Sequence, residues 1–236
     1  MHGEQFYTPC TDFYPEGVTD PTAPPRDTVD PPTGRRELNK VRTREAVAGS
    51  LQALLRRHPV AEITVDQVAE GAGISRRTFF NYYAGLPAVL VEVFSGHAEQ
   101  MVARVDKALL ARDPLQALRR LVAAGGVDPD FLGWMVALNA HGPAGGDPTL
   151  ERAVWTELGA WFETRLRDLF PEGTDPLYLT TLAASVMHAF AAAEQEWLAG
   201  PTRPASLTPQ DLSAFGEHLD RALGHLARGW RPTSRS

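Results

Sequence analysis

"ITVDQVAEGAGISRRTFFNYYAGLP", residues 63–87, is the stretch whose reading decides the fold. Thr64 is a good helix N-cap, and Gln67 three residues on can complete a capping box. Val65, Val68 and Ala69 supply an apolar stripe. Gly71 and Gly73 then break the helix, and Ser75 can cap a new one. The spacing predicts a short helix over about 65–71, a tight glycine turn and a second helix over about 75–83, which together make a helix-turn-helix.

The second helix carries four rings in five positions: Phe79, Phe80, Tyr82 and Tyr83. At about 100° per residue, Phe79 and Tyr83 fall within about 40° of each other and face inward. Arg77, Thr78 and Asn81 cluster on the opposite side, flanked by Phe80 and Tyr82. That strip suits a DNA major groove. Arg bridges guanine O6 and N7, Asn bridges adenine N6 and N7, and Thr or Phe touches a thymine methyl. Tyr82 can donate to a phosphate. Upstream, Arg35, Arg36, Lys40, Arg42 and Arg44 add charge where a backbone or minor groove would lie.

Residues 63–94 resemble the N-terminal domain of TetR-family regulators. The resemblance rests on Thr64, Val68-Ala69, Ala72-Gly73-Ile74-Ser75, Thr78-Phe79-Phe80 and Tyr83, and it covers about 38–95 of the chain. It implies that Arg76, Arg77, Thr78, Phe80 and Asn81 form the base-contacting surface, with Ser75 beside them in the DNA-binding set. Thr64, Tyr82, Arg42 and Arg44 would hold phosphates. Two positions depart from the family pattern. Phe80 stands where a Tyr is usual, and Leu86-Pro87 stands where a Lys-acid pair usually opens the fourth helix. Both departures remove a phosphate contact and shift weight onto the basic residues from Arg35 to Arg44.

Around this motif the pattern is helical throughout. Leu38, Val41, Ala48, Leu51, Leu54 and Leu55 recur at helical steps before His58-Pro59 ends the run. Asp113-Pro114, Asp128-Pro129, Asp147-Pro148 and Asp175-Pro176 each set a capping Asp before a proline at the first helical position, and Thr208-Pro209 does the same. Helices are expected near 87–111, 114–125, 129–140, 148–170, 176–198 and 209–229. The fold class is all-α. A three-helix helix-turn-helix domain over 35–85 precedes a larger helical domain over 86–230. A disordered Pro/Asp-rich tail over 1–34 and a disordered C-terminus over 231–236 flank them.

The family resemblance implies that the second domain binds a small ligand and forms a homodimer. Leu179, Leu182, Val186, Ala189 and Ala193, and then Leu212, Phe215, Leu219, Ala222 and Leu226, read as two seams of a four-helix dimer interface. All five tryptophans, Trp134, Trp155, Trp161, Trp197 and Trp230, lie in this domain. Phe94, Met101, Trp134, Met135, Leu138, Trp155 and Trp161 are candidates for the wall of a lipophilic cavity, with His188, His97 and His141 as its polar groups.

Net charge of −6 argues against nucleic acid only if it is spread evenly, and it is not. Residues 35–95 hold nine Lys/Arg and six Asp/Glu, net +3, while residues 1–34 carry net −5 and residues 96–236 net −4. The single Cys10 excludes an intramolecular disulfide and a cysteine zinc site, and fits a reducing cytoplasm. No run approaches eighteen apolar residues, so no membrane span is expected. Phosphate-loop, dinucleotide, zinc-protease and nucleophile-elbow motifs are absent, so neither an enzyme nor a cofactor is expected. The expected function is a ligand-responsive repressor on a pseudo-palindromic operator. The alternative is a helical protein that sequesters small molecules and binds DNA weakly.

Overall fold

The computed structural model describes residues 33–141, 146–200 and 207–229. Residues 1–32, with Cys10, lie outside that range, as do Trp230 and the C-terminal segment. Ten α-helices and one 3-10 turn make up the described chain, with no strand among the described residues. The helices are α1 (Thr33–Leu55), α2 (Val65–Gly71), α3 (Arg76–Tyr82), α4 (Leu86–Val102), α5 (Lys107–Arg112), α6 (Pro114–Ala123), α7 (Pro129–Asn139), α8 (Pro148–Leu169), α9 (Pro176–Leu198) and α10 (Pro209–Ala227).

Local chemistry sets these boundaries. Asp113, Asp128, Asp147 and Asp175 each accept a backbone N–H from the first turn that follows, and each precedes a proline. Thr208 and Asp211 form a capping box at α10. One expected helix is two: the run 87–111 breaks after Val102 and restarts at Lys107. Asp106 makes the restart by accepting the Leu109 N–H at 3.1 Å, and Val105 is buried at the corner. The first helix also begins earlier than its apolar pattern, at Thr33. Its early apolar residues are not core. Leu38 is 60% and Val41 52% exposed, and the inner stripe starts with Val47, Leu51 and Leu55.

One cluster of buried side chains runs from Val47 and Leu51 through Phe79, Leu90 and Phe131 to Phe215 and Leu223. It joins the helix-turn-helix to the larger bundle through α1, α4 and α7. A second cluster around Leu110, Phe162, Leu166 and Leu179 fills the far end. Helix α9 packs against α8 and α10, and α10 against α6.

The supposed dimer seams belong largely to this interior. Leu179, Ala189, Ala193, Phe215 and Leu219 are all buried within the single chain. An apolar heptad pattern records that a face is covered, not by which chain. Among the described residues, α9 alone is long and apolar enough to cross a membrane by length and composition, with a mean hydropathy of 1.3 over an 18-residue window, a test that the core helix of a soluble protein also passes. Here α9 is docked between α8 and α10, and its outer face carries Thr181, His188 and Glu196.

Candidate nucleic-acid interface and adjoining cavity

Helices α2 and α3 meet through a glycine turn. Gly73 has φ of +67°, a left-handed conformation that costs a residue with a Cβ. Gly71 serves a different purpose from the helix break expected of it. It is the last residue of α2, and a Cβ there would lie 2.3 Å from Ser50 Oγ of α1, which donates to the Val68 carbonyl at 2.9 Å. Gly71 thus permits the close approach of α1 to α2.

The rings of α3 divide as their angular positions require. Phe79 is fully buried and Tyr83 nearly so, while Phe80 is 45% exposed and Tyr82 half-buried. The Tyr83 hydroxyl donates to Glu92 of α4 at 2.8 Å, and Arg44 of α1 lies 3.6 Å from the other Glu92 oxygen. Burial, that hydrogen bond and the Glu92 charge push the Tyr83 pKa up, so Tyr83 stays a donor. Tyr83 and Glu92 therefore fix the end of α3 to α4.

On the outer side, Arg77 and Asn81 are exposed and Thr78 is half-buried. Ser75 caps α3, accepting the Thr78 N–H at 3.0 Å, with its hydroxyl 2.7 Å from Thr78 Oγ1. Thr64 is held in its capping box by Gln67 and stays exposed. Arg76 is tied to Asp66 of α2 by two bonds of 2.8 and 2.7 Å and lies 5.3 Å over the Phe80 ring. That pair is solvent-exposed and contributes about 0–1 kcal/mol, so an incoming phosphate can displace it. Arg42 is exposed on α1. Of the predicted DNA-facing residues, Arg77, Phe80 and Asn81 are exposed on α3, as are Arg42 on α1 and Thr64 before α2, while Thr78 and Tyr82 are half-buried.

Two adjoining cavities lie along α4, the more polar one reaching Val60 of the helix-turn-helix domain. One, of about 140 Å³, is lined by apolar side chains including Met101, Leu121, Phe131, Trp161 and Met187. The other, of about 160 Å³, is lined by Leu90, Met135 and Leu138 together with Asn139, Asp147, Glu151 and Glu194. Phe94, Trp155, Leu158 and Phe190 line both, so they form the shared wall. Of the expected wall residues, Phe94, Met101, Met135, Leu138, Trp155 and Trp161 are in place. Trp134 is not: it is core, 5% exposed, and lines neither cavity.

The histidines do not supply the polar groups. His188 is exposed on the outer face of α9, with Nδ1 2.8 Å from the Ala184 carbonyl. His97 pairs with Asp128 at 2.9 Å, and His141 Nε2 lies 3.2 Å from the Leu55 carbonyl. The polar lining comes instead from Asn139, Gln195 and three carboxylates. Asn139 Nδ2 donates to the Met135 carbonyl at 2.9 Å and to Glu194 at 3.3 Å. Burial, reinforced by the Glu151 charge and opposed by the Asn139 hydrogen bond, pushes the Glu194 pKa up to about 7. Glu194 was visible in sequence as an acid four residues after Phe190, on the same helix face as that ring.

No family model matches the chain. The HTH-type transcriptional regulator EthR of Mycobacterium tuberculosis is 34% identical over 108 residues, covering 45% of this chain and 45% of that protein. EthR of Mycolicibacterium smegmatis is 38% identical over 77 residues, covering 32% and 36%. The chain therefore spans less than half the length of these curated relatives. Among solved structures, Thermus thermophilus FadR, described as a TetR-family transcriptional repressor in complex with lauroyl-CoA, aligns at 24% identity. That alignment covers 81% of this chain and 97% of FadR, with a TM-score of 0.42.

Proposed function

We propose that the chain is a TetR-family helix-turn-helix regulator, a ligand-controlled transcriptional repressor acting as a homodimer in the cytoplasm. One observation carries the reading. The exposed Arg77–Phe80–Asn81 strip sits on a helix fixed through Tyr83 and Glu92 to α4, and α4 runs directly along the cavities. DNA contact and ligand occupancy then act on one element. We assign 35–85 to the DNA-binding domain and 86–230 to the ligand-binding and dimerising domain.

In this reading Arg77 and Asn81 read base edges, with Arg76, Thr78, Ser75 and Phe80 beside them. Thr64, Tyr82, Arg42 and Arg44 hold phosphates. A dimer places one α3 per half-site, about 34–36 Å or a multiple apart on a pseudo-palindromic operator. A lipophilic molecule in the cavities moves α4 and spoils that spacing. It shifts the balance only by its differential affinity for the two states, with a coupling of about 1–3 kcal/mol.

The test is footprinting and salt titration on DNA upstream of the chain's own gene. Arg77→Ala is expected to cost about 1–3 kcal/mol and relax base preference at one position per half-site. Arg42→Ala is expected to weaken all sequences alike and flatten the salt slope by about one unit. If neither substitution alters any footprint, a sequestering role for the cavities replaces this reading.

A further inference from the structure

The two cavities have opposite chemistry across one wall. The apolar chamber, about 140 Å³, has no charged side chain among its lining residues. An engineered cavity of about 150 Å³ in another protein stays dry and binds benzene, so this chamber is the size of one ring. Beyond Phe94, Trp155 and Phe190, the second chamber is lined by Asp147, Glu151 and Glu194, with no Lys, Arg or His among its lining residues.

We propose that these chambers take an elongated cationic amphiphile, with an aryl or alkyl group in the apolar chamber and an ammonium against Glu194 in the acidic one. This rests on the reading of the cavities as the effector site. Glu194 is the focus because its surroundings leave its charge unmet. A carboxylate offers about four lone-pair sites. Here Asn139 supplies one donor at 3.3 Å, shared with the Met135 carbonyl. Asp147 is already engaged, accepting the Thr149 and Leu150 N–H groups at 2.9 and 3.2 Å as the cap of α8.

Among the described residues, the other elements lining this chamber add no positive charge. Helix α8 presents Glu151, α7 presents Asn139, α4 presents Leu90 and Phe94, and α9 itself adds Gln195. A half-buried acid in such a place is neutralised either by a proton or by a cation brought in from outside. An ammonium supplies both charge and donors, and the rings of Phe94, Trp155 and Phe190 in the shared wall favour a cation further. An anionic head meets three carboxylates.

The experiment uses the full chain and its tryptophan fluorescence, since Trp155 lines both chambers and Trp161 the apolar one. Three probes share a phenylbutyl group and end in an ammonium, a hydroxyl or a carboxylate. The ammonium is expected to bind about tenfold or more tighter than the alcohol at pH 8, and the carboxylate weakest. The affinity of the ammonium is expected to rise about tenfold from pH 6 to pH 8, as Glu194 gives up the proton that competes with it, while that of the alcohol stays level. Glu194→Gln is expected to erase both the ammonium preference and its pH dependence. Unchanged alcohol affinity in that variant reports an intact cavity. Quenching by all three probes with equal affinity, or with the carboxylate preferred, overturns the cationic assignment and leaves the effector cavity standing. No quenching by any probe overturns both.

Discussion

Glu194 ties stability to the cavity at the level of one residue. Its folded pKa of about 7 stands above the ordinary 4.5. A raised acid favours the folded state fully only below its unfolded value. That contribution fades as pH climbs and is gone above the folded value. The window is therefore pH 4.5 to 7, with the cost fully present at pH 8. Glu194→Gln keeps the shape and removes the charge. It is expected to raise stability by about 1–3 kcal/mol at pH 8 and to leave it unchanged at pH 4, by thermal unfolding at the two pH values. A gain of equal size at both would show that packing, not charge, is at issue. The sequence contained this site in "FAAAEQEW", residues 190–197. The histidines His188, His97 and His141 find partners at a backbone carbonyl, at Asp128 and at the Leu55 carbonyl instead. A residue's titration range says less about its place than the helix face on which it falls.

At the level of elements, the turn between α2 and α3 fixes how Arg77 and Asn81 are presented. Gly73 donates its N–H to the Glu70 carbonyl and Ile74 to the Ala69 carbonyl, both at 3.0 Å, which closes the turn with Gly73 left-handed. Gly73→Ala is expected to cost about 1–2 kcal/mol in urea unfolding, and Gly73→Asn less, because Asn tolerates that conformation better. No cost for Gly73→Ala would remove the conformational reason for glycine there. Caps of this kind were legible: Thr64, Ser75, four Asp-Pro pairs and Thr208 all start helices where the sequence put them. The break after Val102 was not legible, because "ARVD" at 103–106 holds neither Gly nor Pro and only Asp106 marks the restart. Nor was the shared wall of the two cavities. Its members Phe94, Trp155 and Phe190 come from three helices, and their meeting is a matter of tertiary packing.

For the whole molecule, the open matter is what covers α9. Only 28% of its apolar 18-residue window is buried inside the chain. Leu177, Thr181, Ala184, His188 and Ala192 are all exposed. At about 100° per residue they fall within about 80° of one another, a single stripe along a helix some 35 Å long. Small side chains at Ala184 and Ala192 let another helix come close, which suits a two-fold pairing of α9 with its copy and with the flanking α10. The variant that tests this must leave the single chain intact. Leu219 is unsuitable, since it is 7% exposed and lines the apolar chamber, so a charge there would damage the core first. Ala184→Glu places its charge in water when the chain is alone and in an apolar interface when two chains meet. Two-fold symmetry doubles it, bringing a second carboxylate to the same contact. The expected result is a dimer dissociation constant raised about a hundredfold or more, with the thermal midpoint of the monomer and its helical circular dichroism little changed. Light scattering at micromolar concentration is then expected to show one chain mass where the parent shows two. Operator affinity should fall with it, because a lone α3 holds only one half-site. A variant that stays dimeric at that concentration would move the interface off α9.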